Sequence, residues 1–347
     1  MITVGMSTSC VFPRPADDAF RLARRVGYDG VEVMVTADRG SRDASLLRAS
    51  VARWGLPVLS VHAPVLPAAH FALGRDQRDK LLRSAELAAA LGAATVVVHP
   101  PFRWQRRIAA RFVEVVRDVE AATGVELAVE NMFPWRLGPL VADVYSPGHD
   151  PVDIDVAAAT LDFSHAAVAG RDALELALAL GPRLRHVHLC DGTVSARPGG
   201  LVDEHLVPGT GTQPVAEVLG HLAASGWGGA VVAEVHADRR GADEESRADV
   251  LRRTLSFARD ALRAPRAAVG QATSTVATTA SGTATTATPR PPSTMRPQAT
   301  STPIDVSRPC QSSVASEAQG ATRQPMLTPI STATSRSGDP ATGSSAR

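Results

Sequence analysis

The sequence predicts an α/β protein whose ordered part is a (β/α)8 TIM barrel. Short runs rich in valine and isoleucine alternate with longer amphipathic stretches, which is typical of βα units around a parallel sheet. This alternation repeats about eight times. All fourteen aromatic residues of the 347-residue chain lie at or before Phe257. The part of the chain able to build a core is therefore about 265 residues long, a common length for one barrel.

The expected strands and helices follow one another in order along this part. The eight strands are expected at residues 2–6, 30–35, 57–61, 94–98, 126–130, 160–162, 184–188 and 229–234. The clearest amphipathic stretches are 16–26, 76–91, 106–122, 172–180, 214–224 and 244–262. Glycines placed after helices and before strands supply the turns. A doubly wound sheet is the competing architecture, but no GxGxxG turn follows the first strand.

Residues 266–347 have a different composition from the rest. These 82 residues hold 29 Ser or Thr, 9 Pro and no aromatic residue. Such a segment buries too little apolar surface to offset the entropy of ordering it. We expect a barrel domain at residues 1–265 and a disordered, low-complexity Ser/Thr/Ala/Pro-rich tail at 266–347.

Charge and cysteine usage narrow the class of protein. Residues 1–265 carry 29 bases and 32 acids, which excludes nucleic-acid binding through bulk charge but leaves a local basic groove open. The three cysteines lack CxxC spacing, so neither a disulfide framework nor a thiolate metal site is expected. The start has no secretory pattern and no run of 18 apolar residues occurs. We expect a cytoplasmic protein with no membrane partner.

Histidines and acids follow six consecutive expected strands, and the loop after the seventh adds two more. The carboxyl ends of barrel strands meet at one mouth, so these side chains should converge there. Any one of these histidines alone is better explained as a hydrogen-bonded structural residue. The set consists of His62, His99, Glu130, Asp162, His188 and Glu234 at strand ends, with Asp203 and His205 in the loop.

Several carboxylates buried together repel one another unless a cation lies between them. Histidine with carboxylate suits Zn, Mn, Fe or Co better than Ca. The pattern therefore predicts a divalent metal site at the mouth. Trp104 and Trp135 follow strands four and five, and we expect them to wall a substrate pocket there.

Across residues 1–265 these elements resemble the xylose isomerase-like TIM barrel superfamily, which includes sugar isomerases, epimerases and endonuclease IV. The resemblance to single-metal sugar epimerases implies that Glu130, Asp162, His188 and Glu234 bind the metal. It also implies that Glu130 and Glu234 act as acid and base on the two faces of the sugar carbon. A histidine three residues after the aspartate, here His165, would contact the substrate.

The resemblance to endonuclease IV implies further metal ligands. That enzyme binds three zinc ions, and its additional ligands correspond to His62, His99, His165, Asp203 and His205. The loop DEHLVPGTG at 203–211 keeps two glycines after the DxH motif. Two departures weaken this likeness: Val65 stands where the nuclease has an aromatic residue, and the strand-one histidine is missing.

These residues and the resemblance thus favour a divalent-metal-dependent isomerase or epimerase of a sugar or sugar phosphate. It would bind one to three Mn²⁺, Zn²⁺ or Co²⁺ ions and have a small sugar or polyol as partner. The alternative is a zinc-dependent phosphoesterase acting on abasic-site DNA, for which nucleic acid would be the partner. True xylose isomerases depend on a lysine near the metals. Lys80, the only lysine, is expected inside helix 76–91, which argues against that reaction. Substrate and oligomeric state stay open.

Overall fold

The computed structural model describes residues 2–65, 72–74, 76–137, 140–193, 196–197, 200–201, 203–237 and 243–263. The tail expected at 266–347 lies outside the described residues, and its boundary remains a prediction.

Eight parallel strands close into a barrel, which confirms the predicted fold class. Each strand pairs with its neighbour along the chain, and the first pairs with the eighth through Met6 and Ala233. Every strand begins and ends within one residue of its expected position. The strands are β1 (Thr3–Ser7), β2 (Gly30–Met34), β3 (Val58–His62), β4 (Thr95–Val98), β5 (Glu126–Glu130), β6 (Ala159–Asp162), β7 (Leu184–Leu189) and β8 (Ala230–Ala233).

Helices surround the barrel in the described part of the chain. They are α1 (Ala16–Val26), α2 (Ala44–Trp54), α3 (Gln77–Leu91), α4 (Arg106–Ala109), α5 (Phe112–Thr123), α6 (Phe163–Ala169), α7 (Ala173–Leu180), α8 (Val215–Ala224) and α9 (Glu244–Arg263). The sequence did not single out α2 or α6. The stretch 106–122, expected as one helix, is two, because Arg111 leaves helical backbone at φ −131°. The Ser146 hydroxyl donates to the Ala109 carbonyl at this break.

Capping residues fix where several helices begin and end. The Asp76 carboxylate accepts from the Asp79 amide at the start of α3, and Asp172 does the same for two amides of α7. At the other end, Gly92 and Gly124 adopt φ +75° and +69°, a left-handed conformation that favours glycine. Each of these two glycines leads within three residues into the next strand, β4 or β5.

Strand β7 shows how the barrel separates apolar from polar side chains. Val187 and Leu189 belong to the apolar core between strands and helices. His186 and His188, at alternate positions, approach Glu32 of β2 across the barrel interior. The interior is therefore polar next to the mouth, while the outer layer is apolar.

Two short hairpins extend the mouth and were not expected. One pairs Trp135–Leu137 with Leu140–Ala142 after β5, and the other pairs Ala196–Arg197 with Gly200–Leu201 after β7. Both follow the carboxyl end of a barrel strand, the end that carries the candidate site. Among the described helices, none is long and apolar enough to cross a bilayer.

Candidate metal centre

Four side chains at the carboxyl ends of β5 to β8 converge on one point of the mouth: Glu130, Asp162, His188 and Glu234. One candidate ligand atom of each lies within 4.8 Å of the others, and all four residues are buried. His188 Nδ1 lies 2.9 Å from Glu130 Oε1, 2.8 Å from Glu234 Oε2 and 3.7 Å from Asp162 Oδ2. The residues that the epimerase resemblance assigns to a metal are neighbours. The bound ion itself remains a prediction.

Burial and mutual charge dominate the protonation of this cluster. Burial alone would raise the pKa of Glu130, but His188, His99 and His165 beside it lower that pKa well below its usual range. Burial would lower the pKa of His188, yet Glu234 and Glu130 raise it well above the ordinary value. Against the opposing effect of burial, His188 lowers the pKa of Glu234 to about 2. The site thus favours positive charge at its centre, which a divalent cation would also supply.

The donor set fits a divalent transition metal. Glu130 Oε2 is buried and has no hydrogen-bond partner among the described residues, although His99 Nε2 lies 2.8 Å and His62 Nε2 3.4 Å away. An acceptor oxygen this close to two imidazole nitrogens without a hydrogen bond is expected where a cation joins them. Carboxylates together with imidazole suit Mn²⁺, Zn²⁺ or Co²⁺.

Three histidines around the mouth are oriented by the backbone in one common way. Each ring places Nδ1 close to a carbonyl oxygen, which can only accept, so Nδ1 carries a proton. A neutral ring then directs the lone pair of Nε2 into the mouth, as in histidines prepared for metal binding. The pairs are His62 with Ala63 (2.9 Å), His165 with Asn131 (2.9 Å) and His205 with Glu234 (2.7 Å).

A second group of candidate ligands lies beside the first. Asp203 Oδ2 is 3.2 Å from His165 Nε2 and 3.0 Å from His205 Nε2. Burial would raise the pKa of Asp203, but these two rings lower it well below its usual range. Asp162, His165 and His205 also bring ligand atoms within 4.8 Å of one another. The additional ligands that the endonuclease IV resemblance implies therefore lie next to the cluster at the ends of β5 to β8. They are His165, Asp203 and His205.

Asp191 and Ser164 hold the loop that carries Asp203. The buried Asp191 carboxylate accepts from the amides of Gly209 (2.9 Å), Gly211 (2.9 Å) and Gln213 (3.1 Å). A Cβ on Gly211 would lie 2.2 Å from Asp191 Oδ1, so this position needs glycine. The resemblance pointed to the two glycines but gave Asp191 no role. An acid directly after β7, followed by that glycine pair, was the available signal.

The Ser164 hydroxyl donates to Asp203 Oδ1 at 2.6 Å. Its oxygen also accepts from the amides of Glu204 and His205 at 3.1 and 3.2 Å. Ser164 thus fixes the orientation of the Asp203 carboxylate toward the histidine rings.

A chamber of about 220 Å³ opens beside the cluster and is bounded on one side by His99, His165 and Asp203. Trp135 lines it, together with Tyr145, which sequence reasoning missed. Trp104 stacks on Phe102 with ring centroids 4.3 Å apart and is 57% exposed. The two tryptophans lie 5.8 Å apart, and only Trp135 is among the chamber's described lining. Their contact with a substrate stays a prediction.

Lys80 lies on α3 as expected, but its helical position does not keep it from the site region. It is 2% exposed and lines the same chamber, and burial lowers its pKa. A position on a helix therefore does not by itself exclude a lysine near the metals. Lys80 shares its chamber with His99, His165 and Asp203. It is not among the described residues that line the pocket at Glu130 and Glu234.

Two further polar residues, Glu32 and His186, lie in the barrel interior and were not predicted. Both are fully or almost fully buried, and they form a group with His188 whose ligand atoms lie within 4.8 Å of one another. Burial would raise the pKa of Glu32, but the two histidines lower it well below its usual range. An acid inside the Val-rich strand β2 was the only sequence signal.

A family model described as "Xylose isomerase-like TIM barrel" matches residues 20–261. Among curated proteins, the chain is 47% identical over 279 residues to the uncharacterized protein Rv0498 of Mycobacterium tuberculosis (strain ATCC 25618 / H37Rv), covering 74% of this chain and 97% of that one. It is 44% identical over 280 residues to the uncharacterized protein ML2432 of Mycobacterium leprae (strain TN), covering 75% and 97%.

Solved structures share the barrel at low sequence identity. A xylose isomerase domain protein from Alicyclobacillus acidocaldarius has a TM-score of 0.56 at 22% identity, covering 76% of this chain and 100% of that one. The 3-keto-D-glucoside 4-epimerase YcjR of E. coli has a TM-score of 0.55 at 18% identity, covering 75% and 99%. A D-tagatose 3-epimerase-like protein has a TM-score of 0.51 at 20% identity, covering 75% and 99%. At these identities the likeness shows the fold alone.

Proposed function

The chain belongs to the xylose isomerase-like TIM barrel family, and we propose that it is a divalent-metal-dependent isomerase or epimerase of a sugar or sugar phosphate. The observation that carries this proposal is the placement of two glutamates around one imidazole nitrogen. Glu130 and Glu234 approach His188 Nδ1 to 2.9 and 2.8 Å from different strands of the barrel. A substrate bound at this point would have a carboxylate available on each side.

Glu130, Asp162, His188 and Glu234 would hold the cation. Bound there, a Mn²⁺, Zn²⁺ or Co²⁺ ion would polarise a substrate carbonyl and make the neighbouring carbon-bound proton more acidic. The remaining chemistry belongs to the side chains of this chain.

The two glutamates supply proton transfer. One of Glu130 and Glu234 removes the proton from the carbon next to the carbonyl, and the other returns a proton to the opposite face, which inverts that carbon. If a single glutamate carried the proton to the adjacent carbon instead, the reaction would be an aldose–ketose isomerisation. His188 lowers the pKa of Glu234 against the effect of burial, which keeps this carboxylate ionised, the form that binds a cation.

A small sugar or polyol suits the surroundings of the cluster. His165 reaches the mouth from α6, and Trp135 gives the adjoining chamber an aromatic wall. Aromatic rings offer flat apolar surface to sugar C–H groups, while histidine and carboxylate contact hydroxyls. Two of the structural neighbours are named as sugar epimerases or their relatives, which is consistent with this class of substrate.

Metal content gives the first test. Elemental analysis of protein purified without chelator should find about one Mn, Co, Fe or Zn per chain if one epimerase-type site is filled. Protein that never binds a divalent metal, even after incubation with Mn²⁺, Co²⁺ or Zn²⁺, would overturn the proposal.

Hydrogen exchange then tests the chemistry without knowledge of the product. Metal-loaded protein is incubated in D₂O with a panel of ketoses and their phosphates, and NMR follows loss of the C–H signal beside the carbonyl. We expect exchange with at least one sugar, and a fall by a factor of about 10²–10⁴ in Glu130→Gln and Glu234→Gln. Glu126→Gln is the matched control, because Glu126 lies at the opposite end of β5 and pairs with Arg185.

The second group of ligands favours one alternative, a zinc-dependent phosphoesterase acting on abasic-site DNA. Asp203, His165 and His205 could hold a further ion beside the first. Two or three zinc ions would activate water and stabilise a leaving oxygen. Two to three Zn per chain, cleavage of abasic-site DNA and no exchange with any sugar would establish this alternative over the epimerase.

A further inference from the structure

Glu32 is a buried carboxylate beneath the candidate metal cluster, and the proposed reaction gives it no part. It belongs to β2, which pairs with none of the strands that carry the cluster: β5 is three strands away, and β8 is two strands away through β1. Its relative exposure is 0%. Burying a carboxylate is costly unless its partners compensate, so its partners indicate what it does.

The partners of Glu32 are one hydroxyl and two imidazoles. Ser60 of β3 donates to Glu32 Oε2 at 2.8 Å. His188 Nε2 lies 3.2 Å from Oε1 and 3.4 Å from Oε2, the second with hydrogen-bond geometry. His186 Nε2 lies 2.9 Å from Oε2 without such geometry. The Glu32 carboxylate thus accepts hydrogen bonds from Ser60 and His188.

The two nitrogens of His188 face opposite environments. Nδ1 faces Glu130 and Glu234 in the metal cluster, while Nε2 faces Glu32 on the other side of the ring. Nδ1 has hydrogen-bond geometry to Glu130 Oε1 at 2.9 Å, and Nε2 has it to Glu32 Oε2 at 3.4 Å. A carboxylate accepts only, so without a cation both nitrogens carry a proton, in line with the pKa of His188, which Glu234 and Glu130 raise against the effect of burial. A cation held by Glu130 and Glu234 would take the place of the Nδ1 proton, which leaves Nε2–H on Glu32 and the Nδ1 lone pair directed at the cluster.

We propose that Glu32 is a positioning residue that fixes the Nε2–H form and the ring orientation of His188, so that Nδ1 is the nitrogen presented to a metal. Where His62, His165 and His205 use backbone carbonyls for this purpose through Nδ1, His188 uses a carboxylate through Nε2. A carboxylate acceptor makes the ring nitrogen a stronger ligand than a carbonyl does. This inference rests on the metal binding in the proposed function, but not on any reaction of a sugar.

A second ion between Glu32, His186 and His188 is the competing explanation of the same group. It would require His188 to give up both ring protons and bind two ions at once. Glu32 Oε2 already accepts from the Ser60 hydroxyl and has hydrogen-bond geometry to His188 Nε2, which favours hydrogen bonding at this oxygen. Glu32 Oε1 and His186 Nε2 have no hydrogen-bond partner among the described residues, so the number of ions bound by the wild type and by Glu32→Leu distinguishes the two explanations.

The ring protonation can be measured in the unmodified protein. Long-range ¹H–¹⁵N NMR on the Zn²⁺-loaded full chain, with His188 assigned by comparison with His188→Gln, should show a proton on Nε2 and none on Nδ1. A His188 ring protonated on Nδ1, or lacking both protons, would overturn the proposal. This result does not depend on any sugar reaction.

Variants of Glu32 test the effect on the metal. Titration with Zn²⁺ and with Mn²⁺ should show that Glu32→Leu weakens binding about 10- to 100-fold, while Glu32→Gln, whose amide oxygen can still accept from Nε2, retains most of the affinity. Thr160→Val is the matched control, since Thr160 is equally buried in the barrel and the one described hydrogen bond of its hydroxyl goes to the Ala128 carbonyl. It should bind metal as the wild type does.

Two results would contradict the role of Glu32. One is wild-type affinity in Glu32→Leu. The other is an additional bound ion in the wild type that Glu32→Leu loses. If Glu32→Leu does not fold, Glu32→Gln and the wild-type spectrum still decide the question. Absence of sugar exchange with an Nε2–H His188 would overturn the proposed reaction but leave the role of Glu32 intact.

Discussion

The Asp191 carboxylate shows how one residue can determine the shape of a loop that carries candidate ligands. It accepts hydrogen bonds from the amides of Gly209, Gly211 and Gln213, and it occupies the space beside Gly211. Asp203 and His205 lie on the same loop. A change in the backbone conformation of this loop would therefore move the Asp203 and His205 side chains away from His165.

We expect Gly211→Ala to destabilise the protein by about 2–3 kcal/mol, because its Cβ would lie 2.2 Å from Asp191 Oδ1 and 2.5 Å from the Gly192 carbonyl oxygen. Urea unfolding at pH 7 measures this change. The matched control is Gly220→Ala in the interior of α8, where nothing lies within 4 Å of the added Cβ. Because alanine is the better helix former, Gly220→Ala should stabilise by roughly 0.5–1 kcal/mol. Equal effects at the two positions would refute the steric explanation.

The convergence of the strand-end residues was predictable for the set, because the position of each follows from the strand that it terminates. His62, Glu130 and His188 needed only the strand boundaries and the rule that barrel strands end at one mouth. Glu32 was not predictable, because its importance depends on which residues face it across the barrel. Such pairing is set by the inward alternation of strands far apart in sequence.

At the scale of the element, helices α1 and α2 are joined by a polar contact at the outer surface. Asp17, in the first turn of α1, accepts from the Ser50 hydroxyl at 2.6 Å and the Trp54 indole at 3.0 Å, and pairs with Arg53 at 2.9 Å. Burial alone would raise the pKa of Asp17, but these three partners lower it below its ordinary value of 3.8. The carboxylate is thus stabilised in the folded protein.

Asp17→Asn should lower the free energy of unfolding by about 1 kcal/mol at pH 7, a figure already reduced for the exposure of the site. A lowered folded-state pKa stabilises at pH values above the unfolded pKa, and this stabilisation is lost as the pH falls through the folded pKa. The difference between variant and wild type should therefore be largest at neutral pH and shrink below about pH 4.

Asp18→Asn is the control, since Asp18 meets Arg14 and Arg21 only at 3.8 and 3.6 Å on the helix surface. It should cost no more than a few tenths of a kcal/mol. A pH-independent effect of Asp17→Asn, measured by chemical unfolding from pH 3 to 7, would contradict the electrostatic explanation.

Helices and strands were predicted well where the spacing of apolar residues and the turn residues agreed. The observed boundaries of β5 and α1 are the predicted ones. The stretch 106–122 was not, because its apolar side chains keep helical spacing through Ile108, Phe112 and Val115. The break at Arg111 is a matter of backbone conformation that side-chain spacing does not encode. The hairpin at 135–142 was also not predicted, because its strands are three residues long and too short to show a period in the sequence.

For the whole molecule, the barrel closes on itself through its first and last elements. β1 pairs with β8, the Tyr28 hydroxyl donates to the Leu251 carbonyl of α9 at 2.9 Å, and Arg259 donates to the Gly27 carbonyl at 2.7 Å. Helix α9 is therefore part of the closed structure. The aromatic residues that predicted this extent all precede its end.

Deletion of residues 270–347 should leave the metal content unchanged and shift the melting temperature by less than about 2 °C, which corresponds to under roughly 1 kcal/mol. Calorimetry and elemental analysis on the truncated and full-length chains provide the comparison. A marked loss of stability would show that the domain boundary near residue 265 is wrong.

The single lysine of the chain has a practical consequence. Lys80 is 2% exposed and lines the chamber beside the cluster, so reagents that acylate lysine amines reach it through that chamber or when α3 opens. The rate of its acylation then reports how accessible this part of the molecule is. No other lysine occurs in the sequence, so a peptide acylated on a lysine side chain reports position 80 alone, and mass spectrometry separates it from the amino-terminal amine.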